Sequence, residues 1–205
     1  MVRAILGGRK TQTRRPIKWK QTRFTEIGER EDGSRWPWSE DAEHVCDFWH
    51  PCPFGAVGDR IWVRETWNKY GGLLTYRADH DWIDDMRKET VCTAKWVPSI
   101  HMPRWASRIL LEITDVRVER VNAISPEDAE SEGLERTNFT GFGDEPGLPS
   151  YPEPDVYFDP LKKQWKEYPP EAFAGLWESI YGEGSWQANP WVWVIEFKRV
   201  EGGAA

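Results

Sequence analysis

Two stretches of the sequence carry residues whose types and spacing could do chemistry. The first is Gly8-Arg9-Lys10-Thr11-Gln12-Thr13-Arg14-Arg15, which sets hydroxyls, an amine and guanidinium groups side by side. If the stretch is extended, alternation sends Thr11, Thr13 and Arg15 to one face and Lys10, Gln12 and Arg14 to the other. A threonine hydroxyl is a weak nucleophile until a base activates it. A lysine can be that base when desolvation or cationic neighbours lower its pKa. On spacing alone the stretch reads first as a basic surface loop. The second stretch is His44-Val45-Cys46 followed by His50-Pro51-Cys52, four borderline or soft ligands within nine residues. Its spacing fits none of the usual zinc fingers, and His-x-Cys pairs crowd the two ligands. It is read as free thiols and incidental histidines, with no structural metal expected. No nucleophile elbow, P-loop or dinucleotide fingerprint is present.

The chain around these residues has 205 positions, 39% of them hydrophobic and 30% charged. Those values fit one soluble globular domain enlarged by insertions. No apolar run of ~18 residues offers a membrane span. The start, Met1-Val2-Arg3-Ala4-Ile5-Leu6-Gly7, lacks the apolar core of a secretory leader. Three cysteines do not make a full set of pairs, so a reducing cytoplasm is expected. The net charge of −7 disfavours binding to long duplex nucleic acid, yet residues 1–25 carry +8 with no acid, leaving −15 on the rest. A basic patch on an acidic body suits a small anionic or polar ligand, or one short stretch of nucleic acid. The 14 tryptophans must in part be core, and flat rings also stack on nucleobases.

The elements that must position these groups follow from patterning. Residues 1–9 form a helix closed by Gly7-Gly8. Residues 16–57 are polar and turn-rich and are expected to be an insertion. Gly58-Asp59 turns into a strand over 60–67, and another strand follows the turn at 70–72. Residues 79–90 form a loop or short helix. Residues 107–121 are the clearest strand region, with a bulge or bend at Asp115 where the alternation changes phase. Ser125-Pro126-Glu127-Asp128 starts a short helix that Gly133 ends. Residues 135–170 are a long excursion of the kind that forms lids. Residues 170–182 form an amphipathic helix with Phe173, Leu176, Trp177 and Ile180 on one face. A strand over 191–200 closes the chain. Short strands with two or three helices predict an α+β fold built on a small barrel.

The run from Ile5 to Arg15 resembles the opening Gly-x-Lys-Thr-x-Thr-x-Arg motif of the ASCH domain family. The likeness extends to Gly58-Asp59, to Ala129-Glu130-Ser131-Glu132 and to Val194-Ile195-Glu196-Phe197-Lys198. Residues 62–67 and 101–108 look like an enlarged phage and prophage subgroup of that family. The resemblance implies a PUA-like barrel and, from the family's small N(4)-acetylcytidine amidohydrolases, hydrolysis of the exocyclic amide of N(4)-acylated cytidine-type nucleosides. It implies catalytic roles for Lys10, Thr13 and Glu132 in one pocket, without a cofactor. Arg15 takes the place of the motif arginine, and Arg14 stands where the family carries an apolar residue. Arg15, Arg64, Glu65, Trp67 and Trp105 form the substrate-binding set. Glu65 is equally placed for a strand-end ion pair with Arg64 or another arginine, and Trp67 and Trp105 for the core. The expected partner is a small modified nucleoside, with short single-stranded RNA as a second. A PUA-like binder of RNA or modified bases without turnover, or a ribonuclease, are the alternatives. Truncating Lys10 or Thr13 is expected to leave the fold intact.

Overall fold

The two longest strands among the described residues lie at the centre of the molecule. The structure is a computed structural model, and it describes residues 1–18, 25–41, 46–70, 72–80, 95–137 and 155–200. The chain runs through helix α1 (Val2–Leu6), then strands β1 (Gln12–Pro16), β2 (Thr25–Glu29), β3 (Arg35–Asp41), β4 (Cys46–Trp49), β5 (Arg60–Trp62), β6 (Trp67–Tyr70), β7 (Leu73–Tyr76) and β8 (Leu110–Arg120). Helix α2 (Pro126–Ser131), strands β9 (Arg136–Thr137), β10 (Val156–Asp159) and β11 (Gln164–Lys166), helix α3 (Pro169–Tyr181) and strand β12 (Trp191–Val200) follow. The fold is thus α+β, mostly strands with few helices.

The central sheet is antiparallel, in the order β1-β12-β8-β5. The first half of β12, from Trp191 to Ile195, is apolar without a break because both of its faces are buried. Val192 and Val194 pack with Phe173 and Trp177 of α3. Trp193 and Ile195 pack on the other side with Ile113 and Val118. The phase break expected at Asp115 is a real slip in register. Asp115 faces Glu196 while Ile113 faces Phe197, so Thr114 is the extra residue. Such a bulge bends a strand and increases its twist.

Local signals set the helices. The Ser125 hydroxyl accepts the Asp128 N–H at 3.1 Å, and Pro126 begins α2. In α3 the buried stripe runs Phe173, Trp177, Tyr181, with the last two rings 4.3 Å apart. Steps of four residues carry this stripe past Ile180, which is 52% exposed rather than on the buried face.

The turn-rich stretch 16–57 holds more structure than an insertion needs. Strands β2, β3 and β4 form their own antiparallel sheet, and Ile27 and Trp36 pack on the core around Trp193. Pro37 misled the sequence reading. Its carbonyl accepts the His50 N–H at 2.8 Å, so a proline is tolerated where β4 ends. The excursion 135–170 is likewise anchored, by the β9-β10-β11 sheet and by buried Tyr157 and Asp159. Residues 138–154 of it lie outside the described residues, as do 81–94 from the expected loop or short helix.

Asp159 is 2% exposed and closes the β10–β11 turn by accepting the N–H groups of Leu161 and Lys162 at 2.9 and 3.1 Å. Gly175 of α3 lies directly on it: a Cβ at Gly175 would stand 1.9 Å from Asp159 Oδ1. Gly175→Ala should therefore destabilise the fold by about 3 kcal/mol. Urea denaturation checks this. Equal penalties with and without Asp159→Ala would show that the clash is not the cause.

Candidate functional site

The motif segment is anchored before its strand begins. Lys10 donates its N–H to the Ala4 carbonyl at 3.0 Å, tying the segment to α1. Thr11 donates to the Ser131 carbonyl at 2.9 Å, and Lys10 forms a single antiparallel bridge with Glu132. The end of α2 is thus stitched to the approach of β1. Gly133 makes this possible. Its φ is +83°, and a Cβ there would stand 2.7 Å from Lys10 Cβ and 2.9 Å from Ala4 Cβ.

At that junction Lys10 Nζ donates to Glu132 Oε2 at 2.6 Å and to the Glu132 carbonyl at 2.8 Å. Both residues are only 6% exposed. Burial pushes Lys10 below the usual lysine range. Glu132 opposes that shift, and Arg15 and Arg14 add to it. The next residues on this face, Gln12 and Arg14, are buried as well. Arg14 Nη2 bonds Asp128 Oδ2 at 2.6 Å and Glu119 Oε2 at 3.2 Å, and Nη1 bonds the Gln12 side-chain carbonyl. Gln12 Nε2 in turn reaches Asp128 at 3.0 Å and Glu196 at 3.2 Å. Arg117 joins Asp115, Glu119, Asp128 and Glu196. Burial raises the Asp128 carboxyl, but the bonds from Gln12 and Arg14 and the charges of Arg14 and Arg117 outweigh it and hold it below its ordinary value. The arginine standing in place of an apolar residue thus ties β1 to β8 and α2.

The opposite face of β1 borders a cavity of about 870 Å³. Thr13 and Arg15 project there, beside their partners on β12, Ile195 and Trp193. Lys18, His50, Phe54 and Tyr181 also line it. His50 is held firmly. Its Nε2 lies 2.9 Å from Ser39 Oγ, and its ring meets Phe48 edge-on at 4.8 Å.

Of the three residues given catalytic roles by resemblance, the structure brings together Lys10 and Glu132. Thr13 lies on the other face of the strand. No hydrogen bond among the described residues joins it to either. The substrate-binding set is divided too, since of its members only Arg15 lines the cavity. Glu65 is 3% exposed and is gripped by Arg108, not Arg64, at 2.9 and 3.0 Å. Arg108 also holds Asp79 and lies 4.0 Å over the Tyr76 ring. Arg64 is exposed, 4.8 Å over the Trp62 ring. Trp67 meets Trp105 edge-to-face at 5.7 Å. Trp105 is 58% exposed, with Lys69 over its ring.

His44 and the Cys46 side chain lie outside the described residues. Cys52 is a free thiol whose pKa burial pushes up. Among the described residues no three His, Cys, Asp or Glu side chains cluster to hold a metal. Sequence reasoning missed His50 as a cavity residue and missed the Arg117 network. The network had a signal: Asp115, Arg117 and Glu119 alternate along β8, a charged strand face that Arg14 and Gln12 complete.

Among the described residues no helix is long and apolar enough to cross a membrane. No protein family, curated protein or solved structure matches the chain.

Proposed function

We propose that this chain is an amidohydrolase of the exocyclic amide of N(4)-acylated cytidine, cytosine or related nucleosides, on a PUA-like barrel of ASCH type. The observation that carries the reading is the position of Thr13. The motif threonine stands on the wall of a cavity whose volume is in the range of small-molecule sites and whose walls include Trp193 and Tyr181.

In this mechanism Thr13 Oγ adds to the amide carbonyl carbon as His50, which lines the same cavity, takes its proton. The tetrahedral intermediate collapses, the C–N bond breaks, and the proton passes from His50 to the departing exocyclic nitrogen. Water then adds to the acyl carbon and the ester C–O bond breaks, releasing a carboxylic acid, with one proton of the water restoring the Thr13 hydroxyl. The resemblance leaves the base's role to Lys10 or Glu132. The alternation of β1 favours His50 instead and leaves Lys10 and Glu132 as positioning residues that fix the strand. The reaction uses no cofactor and belongs in the cytoplasm.

A second reading, a binder of modified bases or short single-stranded RNA without turnover, is favoured by the separation of Thr13 from Lys10. Incubation of purified protein with N(4)-acetylcytidine, followed by chromatography, decides between them. Cytidine and acetate are expected as products, and binding with no product would establish the binder. His50→Gln should lower kcat/KM by about 10²- to 10⁴-fold. An unchanged kcat/KM would return the base's role to Lys10 or Glu132.

A further inference from the structure

The packed arginines of this protein are matched to carboxylates or, in Arg30, to the faces of Trp36 and Trp49. Arg14 holds Asp128 and Glu119, Arg108 holds Glu65 and Asp79, and Arg117 holds four acids. Arg15 differs. It is half-buried on the cavity wall and has no ion pair or hydrogen bond among the described residues. Lys18, exposed on the same cavity, has none either, and among the described residues no aspartate or glutamate lines the cavity. The chain is not short of acids, with 34 against 27 basic residues. A guanidinium that has lost part of its water against apolar walls is incompletely satisfied, and an anion would complete it with charge-assisted bonds. Low-dielectric walls focus the field of the two cations into the cleft. Trp193, Tyr181 and Phe54 supply flat apolar surface beside them.

We infer that the cavity selects ligands in which a planar ring carries an anionic group, a phosphate or a carboxylate, and that Arg15 and Lys18 bind that anion. This deepens the hydrolase reading by naming its substrate class, and rests on it only for the identity of the ring. The anion has two possible sources, the 5′-phosphate of a nucleotide or a carboxylate at the far end of the acyl group.

Titration of the intact protein by tryptophan fluorescence tests this with two matched pairs. One pair is cytidine and cytidine 5′-monophosphate; the other is N(4)-acetylcytidine and N(4)-succinylcytidine. The anionic member of at least one pair should bind about tenfold more tightly or better, and the pair that does so identifies the source. Added salt should shrink the ratio. Arg15→Gln should bring the ratio toward one, and Lys18→Gln, at an exposed position, should lower it in part without risk to folding. Ratios near one for both pairs, or a ratio that survives both substitutions, would overturn the inference. Arginine-dependent nucleotide binding without hydrolysis of either amide would overturn only the hydrolase reading. Hydrolysis with no preference for an anion would overturn only this one.

Discussion

Lys10→Ala should cost about 3 kcal/mol of folding stability, because it takes from the Glu132 carboxylate, 6% exposed, its hydrogen-bonded cation and leaves only Arg14, at 3.7 Å. That departs from the expectation that a polar motif at a cleft can be truncated freely. The motif lysine is packed, not presented. Replacing both partners by apolar residues of similar volume, Lys10→Met with Glu132→Leu, should recover most of the loss, since burial of an ion pair is itself costly. The pH dependence has a definite sign. Lys10 is held below its unfolded value, so between the two values the unfolded chain binds more protons than the folded one. Wild-type stability should then rise with pH across that window relative to the paired apolar variant. Denaturant titrations at several alkaline pH values measure it, and parallel curves would show that Lys10 is not displaced. The paired variant also separates the roles of Lys10. If Lys10 and Glu132 fix the strand, measurable hydrolysis survives in the folded variant; if Lys10 is the base, none does.

Thr13→Ala should remove turnover by about 10³-fold or more while leaving the melting temperature nearly unchanged. Thr13 is only half-buried and its hydroxyl has no hydrogen bond to lose among the described residues. Thr13→Ser should keep part of the activity. The double variant Thr13→Ala with His50→Gln should be little worse than Thr13→Ala alone, since two groups that act on one proton fail as a unit. Full activity in Thr13→Ala would end the nucleophile assignment even with hydrolysis established. A loss of only a few-fold in binding, about 0.5–1.5 kcal/mol, would fit a hydrogen bond to a ligand that is never cleaved.

Alternation carried much of this arrangement into view before any coordinates did. It separated Lys10, Gln12 and Arg14 from Thr11, Thr13 and Arg15 and located the slip at Asp115, and the apolar run that opens 191–200 marked that stretch as a strand. The cap at Ser125 and the stop at Gly133 are local effects, visible in a few neighbouring residues. What remained hidden depends on the path of the chain through space. Arg108 sits 43 positions from Glu65. Nothing in the spacing of Arg64 and Glu65 says that the more distant arginine wins. His50 faces Thr13's cavity because β4 ends against Pro37, a contact that a turn-rich composition disguises. The catalytic set drawn from the family motif treats the motif as one surface, whereas a strand gives it two.

Gln12 on β1 and Glu196 on β12 touch across 184 positions of sequence, in a sheet whose middle strand comes late in the chain. During synthesis β1 therefore leaves the ribosome long before its sheet partner, and residues 12–16 wait without that partner until β12 arrives. Closing so long a loop before any contact rewards it makes for slow folding. Nascent chains halted before residue 191 should accordingly show the first motif open to protease, and the cavity, bounded by Trp193 and Ile195, comes into being only after β12 has docked.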